Sequence, residues 1–187
     1  MESLINKLFA IVLIIALLPI YFLISLIIII SDGFPIFFKQ KKFGLNHKVF
    51  NQYKFRTMKI NTPQIATENF KNPNKYLLRS GQFLRKFSLD ELPQFFNILK
   101  GDMHFIGPRP SMEKNEELIK KLREEKKIHT IKPGITGWAQ VNGRDSNDFH
   151  KKVDLDYYYL KNKSLKLDLL IIFKTFNVIF YSKDIQH

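Results

Sequence analysis

Apolar and polar positions along this chain fall into three successive patterns, and each predicts a different element. The first stretch has no period at all. From Leu8 to Ser31 no residue is charged, and most positions are Leu, Ile, Val or Phe. As a helix this run would be roughly 36 Å long at about 1.5 Å per residue, against about 30 Å of bilayer hydrocarbon. A signal peptide has a shorter apolar region, about 7–15 residues, ending at a small-residue cleavage site. Here the run ends in Ser31-Asp32-Gly33-Phe34-Pro35. Pro19 sits near its middle, lacks an N–H and clashes with the carbonyl four residues back, so a kink is predicted. A bent spanning helix accommodates that proline. So does a helix that enters the membrane, breaks and leaves on the same side. Lys7 precedes the run, and Lys39, Lys41 and Lys42 come after it. The heavier C-terminal cluster predicts a cytoplasmic location for the rest of the chain.

Beyond the run the period changes to two. FPIFFKQ (34–40) and KVFNQYKF (48–55) are rich in β-formers and are joined by KKFGLNH (41–47), with Gly44 and Asn46 as turn residues, which predicts a hairpin. On the second strand Val49, Tyr53 and Phe55 share one face, and Lys54 shares the other with Arg56. Residues 59–75 are polar and proline-punctuated, a predicted loop.

Helical spacing then takes over. A short helix is predicted over Leu77 to Phe87, and a second where Leu92, Phe95, Phe96 and Leu99 recur at i, i+3, i+4, i+7. Residues 112–127 form a charged helix with Glu116–Lys120 and Glu117–Lys121 pairs, which a solvated face explains. Phe149, Val153, Tyr157 and Leu160 mark another helix. The last, about Leu165 to Tyr181, is apolar nearly all round with Lys166, Asp168 and Lys174 inset. It belongs either to a core or to a membrane interface. The chain therefore reads as α+β: a kinked N-terminal membrane helix over residues 1–32, then a compact, mostly helical cytoplasmic domain over 33–187 with a small hairpin and interfacial helices.

Composition narrows the chemistry. Thirty Lys and Arg against 17 Asp and Glu leave a formal charge of +13, so an anionic partner is expected: nucleic acid, acidic lipid or phosphorylated substrate. The absence of cysteine excludes disulfide scaffolds, Cys-based zinc sites and thiol nucleophiles. Only six of the 30 cations are arginines. Four of them, Arg56, Arg85, Arg109 and Arg144, sit in or beside segments rich in Gly, Pro and acids. A guanidinium offers a planar fork to two phosphate oxygens, which lysine cannot do.

Asp90 and Glu91 are adjacent in Ser88-Leu89-Asp90-Glu91-Leu92-Pro93. Ser88-x-x-Glu91 matches a capping box, and Asp90 as N-cap would put Pro93 harmlessly in a first helical turn. The alternative is a carboxylate nucleophile or Mg²⁺ ligand held at a positive helix end. GDMHFIGPRP (101–110) and KPGITGWAQVNGR (132–144) are glycine-rich, as ordinary turns are and as anion nests are. Neither contains a Walker A loop, and the five histidines have no metal-like spacing.

Taken in order, KFRTM (54–58), SLDELPQ (88–94), FNILKGDM (96–103), GPRP (107–110), PGITGWAQVNGR (133–144) and DLDYYYL (154–160) resemble the bacterial sugar transferase family, specifically its small monotopic phosphoglycosyl transferases. The resemblance covers nearly the whole chain. It implies a UDP-sugar donor, a polyprenyl phosphate acceptor, inner-leaflet lipids as surroundings and no nucleic-acid partner. It implies Asp90 as covalent nucleophile, Glu91 as its dyad partner, and Mg²⁺ as cofactor on these two acids. Lys54, Arg85 and Arg109 fall on motif positions that handle phosphate, and Arg144 falls toward the nucleotide end. It also implies a bacterial inner-membrane location with the catalytic domain on the cytoplasmic face. Four positions depart from the family pattern: Ala10 where an acid is common, Leu18-Pro19 for Ser-Pro, Gln40-Lys41-Lys42-Phe43-Gly44 for Gln-x-Arg-x-Gly, and His104 for Ser. Two rival readings stand beside it, a non-catalytic membrane-tethered basic module and a hydrolase passing an aspartyl-phosphate to water.

Overall fold

In a computed structural model, residues 2–62, 73–112, 117–142 and 148–181 are described. Among these residues the chain is α+β, mostly helical, with two small sheets. The apolar run forms two helices, α1 (Glu2–Ala16) and α2 (Leu18–Asp32), bent by 62° at Leu17. Pro19 lies in the first turn of α2, where its missing N–H is harmless. No single described helix is long and apolar enough to cross a membrane, whereas the bent pair taken together is.

Only one side of this pair is covered. On α2, Tyr21, Ile24 and Ile28 pack with Phe55 and Leu84, and the Tyr21 hydroxyl donates to the Leu92 carbonyl at 2.6 Å. On α1, Ala10 is fully buried with Phe50, Ile98 and Met103, and Asn6 Oδ1 accepts the Phe105 N–H at 2.9 Å. A fully buried isoleucine such as Ile28 contributes about 1.5–3 kcal/mol relative to exposure. Leu4, Leu8, Phe9, Val12, Ile15, Phe22, Leu23 and Ile30 are exposed on the other side.

The hairpin is antiparallel, β1 (Phe37–Phe43) with β2 (Val49–Phe55), in register from Phe37–Phe55 to Phe43–Val49. Its turn is tighter than the sequence implies, because Lys41–Phe43 extend β1. Asn46 and His47 adopt positive φ in the turn. Phe50 and Gln52 point into the body while Val49, on the face expected to be apolar, is exposed. The helix predicted after the loop is shorter than expected: α3 (Gly81–Lys86), then a 3-10 turn at Leu89–Glu91 and α4 (Gln94–Lys100). On α4, Gln94 and Asn97 face inward beside Ile98, and Phe96 turns outward. Asn97 explains the rotation. Its Oδ1 accepts the Tyr53 N–H at 3.0 Å and its Nδ2 donates to the Asn51 carbonyl at 2.7 Å, clamping α4 to β2.

A second sheet is not apparent from the sequence. β3 (His104–Ile106) pairs in parallel with β4 (Gly134–Thr136). Between them α5 (Glu117–Glu125) is not merely solvated. Arg123 Nη2 reaches the buried Asp156 at 2.7 Å, on α7 (Phe149–Asn162). The pair realised on α5 itself is Lys120–Glu124, at 4.0 Å, and Glu116 lies outside the described residues. The buried face of α7 is Val153, Asp156 and Tyr159, rotated from the expected apolar stripe by that ion pair. After the short α6 (Trp138–Asn142) and α7 comes α8 (Leu165–Tyr181). It buries Leu167 and Ile171 and leaves Leu165, Leu169, Phe173 and Phe176 exposed, so it is core on one side only.

Candidate active site

Asp90 and Glu91 sit on the 3-10 turn between α3 and α4. The residue before it, Ser88, is held at φ 54°, a left-handed conformation that costs a non-glycine residue about 1–2 kcal/mol. This turn overturns both capping arrangements. Ser88 makes no side-chain cap, Asp90 lies inside the turn, and Pro93 rather than Asp90 occupies the N-cap of α4. The two carboxylates are therefore not tied up at a helix start.

What they meet instead is positive charge. Lys54, projecting from the end of β2, places Nζ 2.7 Å from Glu91 Oε1 and 3.7 Å from Asp90 Oδ2. Arg109, in the segment after β3, places Nη2 3.3 Å from the same Glu91 oxygen. Glu91 thus joins a lysine and an arginine from two separate elements. Arg85, on α3, is near enough for its charge to act on both acids, and it donates from Nε to Thr57 Oγ1 at 3.0 Å.

Burial differs sharply within the cluster. Asp90 is 5% exposed, while the side chain of Arg109 is half exposed. Loss of water raises the Asp90 carboxyl above its ordinary value. Lys54 opposes this most strongly, Glu91 reinforces it, and Arg85 and Arg109 oppose it. Burial likewise lowers Arg85, and Asp90 and Glu91 push it back up. The result is a shielded carboxylate whose ionised form depends on fixed cations, with Arg109 on the open side.

Arg56 does not join this cluster. It is 5% exposed, and Nη2 donates to the carbonyls of Asp32 and Gly33 at 2.9 and 2.5 Å, capping the C-terminal end of α2. Arg144 lies outside the described residues. Two glycines of the glycine-rich segments are committed to backbone partners. Gly107 N–H donates to Thr136 and Gly134 N–H to Pro108, each at 2.9 Å, so neither is available to an anion. A Cβ on Gly107 would lie 2.5 Å from the Lys132 carbonyl, and one on Gly134 would overlap the Gly107 nitrogen. These glycines let two backbones touch, and the contact anchors the segment that carries Arg109. Sequence reasoning misses Thr57 and Asn97, whose roles depend on long-range partners and leave no periodic signal.

Among the described residues no group of three or more acids and histidines could hold a metal. Two neighbouring carboxylates nevertheless fit Mg²⁺, which keeps several waters and commonly takes one or two carboxylates plus substrate phosphates.

The bacterial sugar transferase family model matches residues 1–182. An uncharacterized sugar transferase EpsL of Bacillus subtilis (strain 168) is 43% identical over 155 residues, covering 82% of this chain and 74% of the relative. A UDP-N-acetylgalactosamine-undecaprenyl-phosphate N-acetylgalactosaminephosphotransferase of Aeromonas hydrophila is 38% identical over 86% of this chain. A UDP-glucose:undecaprenyl-phosphate glucose-1-phosphate transferase of Escherichia coli (strain K12) is 38% identical over 84% of it. The alignments cover 39% and 35% of those two longer proteins.

Proposed function

Because the chain belongs to the bacterial sugar transferase family, we propose that it moves a sugar 1-phosphate from a UDP-sugar to polyprenyl phosphate, releasing UMP and initiating surface glycan assembly. The observation that carries this reading is Asp90, a buried carboxylate ringed by Lys54, Arg85 and Arg109. An ionised Asp90 oxygen needs no general base. It bonds to the phosphorus bearing the sugar while the P–O bond to UMP breaks, and UMP leaves with that electron pair. A phosphate oxygen of the lipid then attacks the same phosphorus, and Asp90 departs as the carboxylate.

The obstacle is repulsion between a carboxylate and a diphosphate. Lys54 and Arg85 supply fixed positive charge on the buried side, and Arg109 presents its fork at the open side. Glu91 holds Lys54 and Arg109 in relation to each other. Asp90 and Glu91 would hold Mg²⁺ arriving with the donor. The metal supplies further neutralisation of the diphosphate. The bent α1–α2 pair is read as re-entrant, with Lys7 and the Lys39–Lys42 cluster on the cytoplasmic side of the inner membrane. The uncovered face of α8 is read as lying in the same interface. Both put the site where a soluble donor and a lipid acceptor meet in turn.

The test is UMP release from UDP-glucose, UDP-galactose and UDP-N-acetylgalactosamine, with and without undecaprenyl phosphate. Sustained release that requires the lipid is expected from one donor. Release beyond one equivalent of enzyme without lipid would identify a hydrolase. No release from any UDP-sugar would leave a non-catalytic basic module.

A further inference from the structure

Gly81 and Arg85 stand four residues apart on α3 and so share one helix face. That face meets Thr57, two residues beyond β2. Gly81 has no side chain, and a Cβ there would overlap the Thr57 carbonyl, so only glycine lets the helix approach this closely. The approach is fixed twice over. The Leu78 N–H donates to the Thr57 carbonyl at 2.9 Å, and Met58 bridges Leu77. One turn further along the same face, Arg85 Nε meets Thr57 Oγ1 at 3.0 Å. Thr57 is 5% exposed, so water does not substitute freely for this acceptor.

We propose that Thr57 is a positioning residue for phosphoryl transfer: its hydroxyl fixes the plane of the Arg85 guanidinium that acts on Asp90 and Glu91. This rests on the transferase reading above. A guanidinium has one Nε–H and four terminal N–H donors in a rigid fork. Anchoring Nε to an immobile hydroxyl removes rotation about the last side-chain bonds and sets where the other four point. An arginine so held needs no reordering when negative charge arrives, which is the condition for stabilising a transition state. Valine would fill the same volume without the acceptor. Serine would keep it.

Three variants, Thr57→Val, Thr57→Ser and Arg85→Lys, decide the matter through two readouts. In steady-state UMP release, Thr57→Val is expected to lower kcat about ten- to a hundred-fold with KM for the donor changed less than about threefold. Thr57→Ser stays within about threefold of wild type. Adding Thr57→Val to Arg85→Lys costs less than about twofold more, because lysine has no Nε–H fork to hold. The second readout is independent of activity: the Arg85 ¹⁵Nε–H resonance in detergent micelles exchanges slowly in wild type and Thr57→Ser, and rapidly in Thr57→Val. Wild-type kcat in Thr57→Val, or equal losses with and without Arg85, would overturn the positioning role while leaving the transferase intact. If wild type itself releases no UMP from any donor, the transferase reading falls and takes the role with it. The Nε–H exchange then reports only whether the hydrogen bond holds Arg85.

Discussion

At the residue scale the site turns on one carboxyl and its protonation. Burial raises Asp90, so the folded protein holds that proton more tightly than the unfolded chain does. Stability therefore declines as pH rises from the ordinary carboxylate range through the raised value. Asp90→Asn removes the ionisation and escapes the decline. At pH 7.5 it is expected to unfold at a higher temperature than wild type, by circular dichroism in detergent, with the gap closing toward pH 4. A lower midpoint at pH 7.5 would reverse the sign assigned to Asp90. The same variant is expected to lose at least about a thousandfold in UMP release, because an amide is a poor nucleophile. In wild type, activity falls as pH drops through the Asp90 value, so the acid limb lies above the ordinary carboxylate range. Arg109→Lys is expected to lose about tenfold or more in the same assay, since the fork is lost, while Lys121→Arg on α5 changes it less than about twofold. Equal effects at the two positions would remove the special role of Arg109. Residue types announce most of this cluster: adjacent acids, and scarce arginines among many lysines. Scarcity does not disclose the role of Arg56, whose carbonyl partners on Asp32 and Gly33 come from tertiary structure.

Elements position the cluster, and here polar groups do as much as apolar ones. Asn97 satisfies two backbone groups of β2 on either side of Gln52, and so sets the register from which Lys54 reaches Glu91. Asn97→Ala leaves both part-buried groups without this partner. It is expected to cost about 1–3 kcal/mol by urea unfolding, and to lower activity with it. Gly134→Ala drives a methyl into the Gly107 backbone and is expected to prevent accumulation of folded protein, where Lys132→Ala beside it is tolerated. The hairpin and the helices are legible because period two and period 3.6 survive in the sequence. The β3–β4 pair is not, since three-residue strands separated by 27 positions carry no period. The faces of α4 and α7 depart from the pattern for a related reason. Asn97 and Asp156 are polar residues buried by specific partners, and a hydrophobic pattern puts such residues outside.

Across the whole molecule, a kink close to Pro19 is readable from sequence and the sidedness of the uncovered α1–α2 surface is not. Cysteines placed at residues 3 and 41 are expected to react with a membrane-impermeant thiol reagent from the same side of oriented vesicles. Labelling from opposite sides would establish a spanning helix. If the ends are same-sided, Pro19→Ala is expected to shift a fraction of molecules to opposite-sided labelling, because a straightened pair is long enough to cross. The packing of this pair also sets a timetable for biosynthesis. Asn6 finds its acceptor role with Phe105, 99 positions downstream, so at about 5–20 residues per second the first helix leaves the ribosome roughly 5–20 s before its partner exists. Until then Ile98, Met103 and Phe105 have yet to emerge, so the α1 side that finally buries Ala10 stays largely bare. A nascent chain carrying so much apolar surface needs somewhere to wait. Translation without lipid or detergent should therefore yield aggregates that later addition of lipid does not rescue, whereas lipid present from the start should yield folded protein.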